Sequence, residues 1–153
     1  ADPNVSVDFI LDGEHVDPIA VKMALQCKGP DKVCLITDAN IGAGLPPGKY
    51  NSFGGEVEFA YQGGPARMTE KSTYPGGLAG SGLTMNLAVK NALEMLAVDL
   101  PQALRMASTN PANVLGLKDK GQIKKGFDAD MFLMDDDCQV LQTWIAGEYC
   151  YKL

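Results

Sequence analysis

Three short segments hold residue types that could do chemistry. Asp12-Gly13-Glu14-His15 follows the apolar run NVSVDFIL, and Thr37-Asp38-Ala39 closes the apolar run KVCLIT. A carboxylate directly after an apolar strand is held rigidly and partly desolvated. That raises its pKa and suits it to general acid–base work. Asp38 fits this description best, while His15 could donate a hydrogen bond to a ligand oxygen or carry charge beside a phosphate. In the plainer alternative Asp12 and Asp38 cap turns and His15 satisfies a backbone carbonyl, and the residue types leave both readings open. The third segment, Gly76-Gly77-Leu78-Ala79-Gly80-Ser81, precedes a helical pattern that begins at Leu83. Small residues let backbone amides approach a ligand closely, and a helix N-terminus suits an anion. A glycine-rich turn with Ser81 or Thr84 capping the helix is the structural alternative. It is no P-loop, because no lysine follows the last glycine.

The elements that must position these segments follow from periodicity. Asn4 to Leu11 reads as a buried strand, Pro18 to Lys28 as a helix capped by Asp17, and Lys32 to Thr37 as a second buried strand. This is a βαβ unit, whose parallel strands place Asp12 and Asp38 on one rim. Residues 40–81 are rich in glycine and proline and contain one alternating run, EVEFAY at 56–61. They read as an excursion with a small antiparallel ribbon, Arg67 and Met68 starting the partner strand. Helical periodicity resumes from Leu83 to about Ala97 and from Asp99 to Thr109, is broken at Asn110-Pro111, and gives one more turn over Ala112 to Leu115. Strands follow at Met131–Met134 and Val140–Ile145, with Gly147 marking a hairpin to Tyr149–Tyr151. These last strands are expected to pair with the excursion's ribbon or with another copy of the chain. The strand–helix units and the excursion thus run over 1–117, and the terminal strands lie in 118–153.

Composition narrows the field. The net charge of −6, from 19 acidic and 13 basic side chains, argues against nucleic acid or an anionic membrane as partner. The apolar runs are too short for a membrane helix, and no secretory leader is expected. Cys27, Cys34, Cys138 and Cys150 lack zinc-ribbon spacing and read as buried free thiols in a reducing cytoplasm. One histidine cannot build a metal site of several imidazoles. The run Asp135-Asp136-Asp137 reads as a solvated turn rather than a cation site, and Trp144 as a packing residue. At 153 residues the chain is too short for a complete eight-unit strand–helix barrel, which takes about 250.

Several strings together resemble the N-acetylglucosamine-6-phosphate deacetylases of the amidohydrolase superfamily. They are DGEHVDP at 12–18, KVCLITDA at 32–39, GGLAGSGLTM at 76–85, ALRMASTNPANVLGL at 103–117 and GQIKKGFDADMFLMD at 121–135. The resemblance spans nearly the whole chain but only the C-terminal part of the family's proteins. It implies an α/β fold: the C-terminal part of a (β/α)8 metal-dependent hydrolase barrel plus closing strands of a small β-sandwich. It implies hydrolysis of an acetamide to glucosamine 6-phosphate and acetate, with Asp38 as acid/base. His15 would contact the amino-sugar phosphate, Asp12, Gly13 and Glu14 would form the adjoining loop, and Leu78, Ala79 and Gly80 would line the sugar pocket. A divalent metal, most often zinc, would be held by residues preceding this stretch, so no metal ligand is expected within it. The chain is then expected to be a fragment, inactive without an N-terminal portion, cytoplasmic and prone to homo-oligomerise through unfinished edges. A dihydroorotase- or adenine deaminase-type amidohydrolase is the enzyme alternative, and a noncatalytic oligomerising module the other.

Overall fold

The computed structural model describes residues 2–52 and 54–153. The βαβ unit is present. Strand β1 (Val7–Ile10) lies parallel to β2 (Val33–Ile36), Val7 opposite Val33 and Ile10 opposite Ile36. Helix α1 (Pro18–Lys28) crosses between them. Its start is set by the Asp17 carboxylate, which accepts the Ile19 N–H at 2.8 Å, and by Pro18, which has no N–H to satisfy. Its end is set by Gly29 at φ 79°, whose N–H returns to the Leu25 carbonyl at 2.8 Å. Val33, Cys34 and Leu35 are buried, because helices pack over β2. Strand β1 is only half-buried, contrary to the expected buried strand, since β2 is its one partner among the described residues.

The excursion is larger than a hairpin. Strands β3 (Gly48–Ser52), β4 (Gly55–Phe59), β5 (Pro65–Met68) and β6 (Leu78–Ser81) form a four-stranded antiparallel meander. The Leu78–Ser81 run is therefore a strand, not the loop that the glycines suggested. Its backbone finds partners in β5 that composition could not show. Val57, Phe59 and Ala66 make a separate small core, edged by Tyr50 in T-shaped contact with Phe59.

Helix α2 (Met85–Asn91) runs on into a π-helical turn (Ala92–Leu96). Helix α3 (Leu100–Leu104) opens on a capping box between Asp99 and Gln102 and continues through a second π turn (Arg105–Thr109) into α4 (Asn110–Val114). The expected break at Asn110-Pro111 does not occur. The π turn shifts the hydrogen-bond ladder by one residue just before the proline, with Asn110 N–H reaching the Arg105 carbonyl. This gives the Pro111 ring room within a continuous helix. Leu11, Leu35, Leu83, Val89 and Met106 are fully buried in the main core between these helices and the parallel pair. Each contributes about 1.5–3 kcal/mol of burial.

Strands β7 (Met131–Met134), β8 (Val140–Ile145) and β9 (Glu148–Lys152) form their own antiparallel sheet. It pairs with no strand of the ribbon. Ala146 and Gly147, both at positive φ, make its tight turn. Asp135 accepts the N–H groups of Asp137 and Gln139, so the aspartate run is a turn, and Trp144 packs edge-on against Tyr149. Cys34 and Cys138 are buried as expected, but Cys27 and Cys150 are exposed, on the outer face of α1 and on the wholly exposed β9.

Asn110 ties the helical run to β2. Its buried side-chain amide donates to the Pro30 carbonyl at 2.7 Å and the Val33 carbonyl at 2.6 Å. Asn110→Ala strands both carbonyls, so it should destabilise the chain by about 2 kcal/mol or more, read as a lower urea midpoint at unchanged slope. An unchanged midpoint would refute this role.

Candidate functional site

The turn after β1 is organised by Asp12, whose side chain is 1% exposed. One carboxylate oxygen accepts the N–H groups of Glu14 at 3.0 Å and His15 at 2.9 Å. The other accepts from His15 Nδ1 at 2.7 Å. Burial pushes this carboxyl up. The two backbone N–H bonds and the imidazole outweigh burial and leave it below the ordinary aspartate value. Because Nδ1 donates to the carboxylate, Nε2 is the nitrogen left to meet a ligand. Gly13, at φ 81°, allows the reversal, and the Leu11 carbonyl beneath it accepts the Asn91 side-chain amide at 2.7 Å. Asp12 thus does cap its turn, and His15 pairs with a carboxylate rather than a carbonyl.

The Asp38 segment is joined to β6 by main-chain bonds. Ser81 N–H donates to the Asp38 carbonyl at 2.8 Å, and Asn40 N–H donates to the Ser81 carbonyl at 2.8 Å, a short parallel bridge between Ala39 and Ser81. The buried Ser81 hydroxyl donates to the Thr37 carbonyl and accepts the Leu83 N–H, while the Asn40 amide donates to the Ala79 carbonyl. Asp38 itself sits at φ 46°, a left-handed conformation that aspartate tolerates. Gly80 fits closely against it, for a Cβ there would stand 2.7 Å from the Asp38 carbonyl oxygen and 3.6 Å from Oδ2. Asp38 is exposed, so the expected partial desolvation is not met.

A third set of contacts links the turn to the ribbon. Glu14 pairs with Arg67 at 3.0 Å, and the Tyr61 hydroxyl donates to the same carboxylate at 3.4 Å. Burial raises the Tyr61 hydroxyl's pKa, and the negative Glu14 and Asp12 raise it further. The Glu14 carboxylate is therefore committed to the ribbon. Sequence reasoning missed Asn91, Asn40 and Tyr61, and gave Arg67 and Ser81 only local roles. A signal was present in part, since polar Asn91 interrupts an otherwise apolar helical stripe.

Among the described residues no three His, Cys, Asp or Glu side chains converge as a metal site. An open seam of about 1670 Å³, lined by both apolar and polar side chains, runs between α3–α4 and β7. Asp12, His15, Asp38 and Leu78–Gly80 do not line it.

A parallel strand pair joined by a helix, with polar groups collected at its C-terminal rim, is the repeating unit of strand–helix folds. The chain belongs to the amidohydrolase family, whose model matches residues 21–150. It is 38% identical to a chain of Escherichia coli strain K12 provisionally named as an N-acetylgalactosamine-6-phosphate deacetylase, over 96% of this chain and 84% of that one. It is 37% identical to the N-acetylglucosamine-6-phosphate deacetylase of Lysinibacillus sphaericus, over 94% of this chain and 35% of the relative. The crystal structure of N-acetylglucosamine-6-phosphate deacetylase from Pasteurella multocida superposes with a TM-score of 0.86 at 31% identity, covering 97% of this chain and 38% of that one. The chain thus spans most of the E. coli relative and little more than a third of the other two.

Two outcomes test the site's architecture. Asp12→Asn should cost about 1–3 kcal/mol near neutral pH by weakening the turn. Asp12 is held below its ordinary 3.8, so its stabilisation is complete above pH 3.8 and is lost as pH falls through the lower folded value. The deficit of the variant should therefore shrink below pH 3.8, measured by urea unfolding at about pH 7 and about pH 3. An equal deficit at both would contradict the ionised turn. Gly80→Ala should destabilise as well, through its positive φ and the clash with the Asp38 backbone. Its melting temperature should drop, whereas Gly126→Ala, which meets nothing within 4 Å, should pay only the cost of positive φ.

Proposed function

We propose that this chain is the C-terminal catalytic-rim portion of a deacetylase acting on N-acetylglucosamine 6-phosphate, within a (β/α)8 barrel whose other strands are supplied by a longer protein. In this reading residues 1–117 contribute the last strand–helix units and 118–153 the closing strands of the small β-domain. The observation that carries it is the parallel bridge joining Asp38, the candidate acid/base, to Leu78–Ser81, the candidate sugar-lining strand. The half-buried β1, with β2 on one edge, is what a barrel strand awaiting its other neighbour would present. The same neighbours would enclose Asp38.

The residues take these parts. The Asp38 carboxylate accepts a proton from the attacking water as oxygen adds to the acetamide carbonyl. It then returns that proton to the nitrogen as the C–N bond breaks, releasing acetate and the free amine. His15, its Nδ1 held by Asp12, presents Nε2 either as an acceptor for a sugar hydroxyl or, as the imidazolium, as a donor to a phosphate oxygen. The turn residues Gly13 and Glu14 hold that imidazole in place, and the backbone of Leu78, Ala79 and Gly80 borders the sugar. The divalent metal, zinc in the commonest case, does not fit the donors present in this stretch: the one imidazole is already paired, and among the described residues no three donors converge. Its ligands belong to the rest of the longer protein, and the stretch alone would be inactive. A cytoplasmic setting goes with a phosphorylated substrate. Self-association is supported by apolar side chains left exposed, among them Ile145 and Tyr149 on the terminal sheet.

The galactosamine epimer is a second reading of the substrate, favoured by three relatives at 38% identity that carry that name. The test measures acetate release from both epimers by the full-length protein. Asp38→Asn should lower kcat by about 10²–10⁴-fold with the fold intact. Activity unchanged in this variant, or acetate released by neither epimer, would sink the proposal. The ratio of kcat/KM for the two sugars decides between the epimers.

A further inference from the structure

Arg67 stands where the two proposed walls of the sugar-phosphate site meet. Its backbone pairs with Glu58 of β4 on one side and Leu78 of β6 on the other. Its side chain leaves the ribbon and forks. Nη2 donates to Glu14 at 3.0 Å, and Nη1 donates to the Gly76 carbonyl at 3.2 Å. One guanidinium therefore bonds both to the turn that carries His15 and to the segment that enters Leu78–Gly80.

Each of those segments has bonds of its own, and Arg67 adds a tie between the two. The turn is fixed at its base by Asp12, while its outer residue Glu14 is held through Arg67 and Tyr61. The segment before β6 contains Gly76 at φ 77° and Gly77, whose N–H groups return to Met68 and Tyr74. Met68 N–H donates in turn to the Gly77 carbonyl at 2.8 Å, so the Arg67 bond is a side-chain tie added to a segment paired with the end of β5. A planar fork donates to two acceptors from two nitrogens at a spacing set by the guanidinium, whereas a lysine ammonium donates from a single atom and must bring its acceptors closer together.

The geometry points to Arg67 as a positioning residue that sets the distance between His15 and the Leu78–Gly80 strand, and so the width of the sugar-phosphate site. This rests on the assignment of those two segments as walls of that site. Arg67 acts through Glu14 and the Gly76 carbonyl and has no bond of its own to His15. Because the Arg67–Glu14 pair is roughly half exposed, it adds little to global stability, and its effect is local.

Hydrogen–deuterium exchange on the chain tests this. Arg67→Met should speed exchange by about tenfold in both residues 12–18 and residues 76–82, with the global unfolding midpoint unchanged. Arg67→Lys keeps the charge and loses the fork, so it should restore protection to residues 12–18 and not to 76–82. Faster exchange in one segment alone in the Met variant would overturn the inference. So would a midpoint that falls in step with exchange, or full restoration by lysine. In the full-length protein the Met variant should raise KM about fivefold with kcat held within about twofold. If the unaltered full-length protein releases no acetate while exchange behaves as expected, the functional reading fails and the bridging role stands.

Discussion

The candidate site depends on a few main-chain hydrogen bonds between residues 38–40 and 81. Ser81 donates its N–H to the Asp38 carbonyl and accepts the Asn40 N–H, so the segment that follows β2 of the parallel pair is tied to β6 of the four-stranded ribbon. This junction fixes where the Asp38 carboxylate starts from. It also explains the left-handed backbone at Asp38 and the glycine at position 80, since a side chain there would collide with the Asp38 carbonyl. The buried Ser81 hydroxyl and the Asn40 amide satisfy the neighbouring carbonyls of Thr37 and Ala79, so the junction leaves no stranded polar side chain among the described residues.

The same economy recurs where helices meet strands. Asn86, Asn91 and Asn110 lie on α2 and α4, and each directs its amide to a carbonyl outside its helix: Cys138, Leu11, and the pair Pro30 and Val33. Those carbonyls sit at strand or loop ends, where no ladder partner is available. The helices therefore do two things for the parallel pair. They bury its apolar faces through Leu83, Val89 and Met106, and they hold its ends by amide bonds. Apolar packing alone would leave the helices free to slide along the sheet, and a directional bond does not.

Much of this was legible in the chain. The βαβ unit, both helix starts at Asp17 and Asp99, and the terminal hairpin follow from periodicity and capping chemistry, because those signals are local. Four of the five strings that carried the resemblance to amidohydrolases lie within residues 21–150, which the family model matches, and DGEHVDP at 12–18 lies ahead of that match. What could not be read was non-local. Leu78–Ser81 has turn composition and becomes a strand because β5 and the Asp38 segment supply partners on both sides. Asn110-Pro111 looks like a stop signal and is absorbed by a π turn. Asp38 was expected to be shielded by its strand, but exposure is set by neighbouring elements and not by the residues before it. The roles taken from family likeness, those of Asp38, His15 and the Leu78–Gly80 backbone, stand as the proposal above.

The π turn over Arg105–Thr109 has a consequence for how the helix meets the sheet. Each residue added to an α-helix rotates everything beyond it by about 100°. The extra residue that the π turn accommodates therefore sets the angular phase of α4 relative to α3. Ala103 faces the core before it, Met106 does so within it, and Asn110 can still face Pro30 and Val33 after it. Deleting one residue there would rewind a regular helix and swing the asparagine off the strand, so the irregular turn works as the gear that keeps two contact surfaces in step.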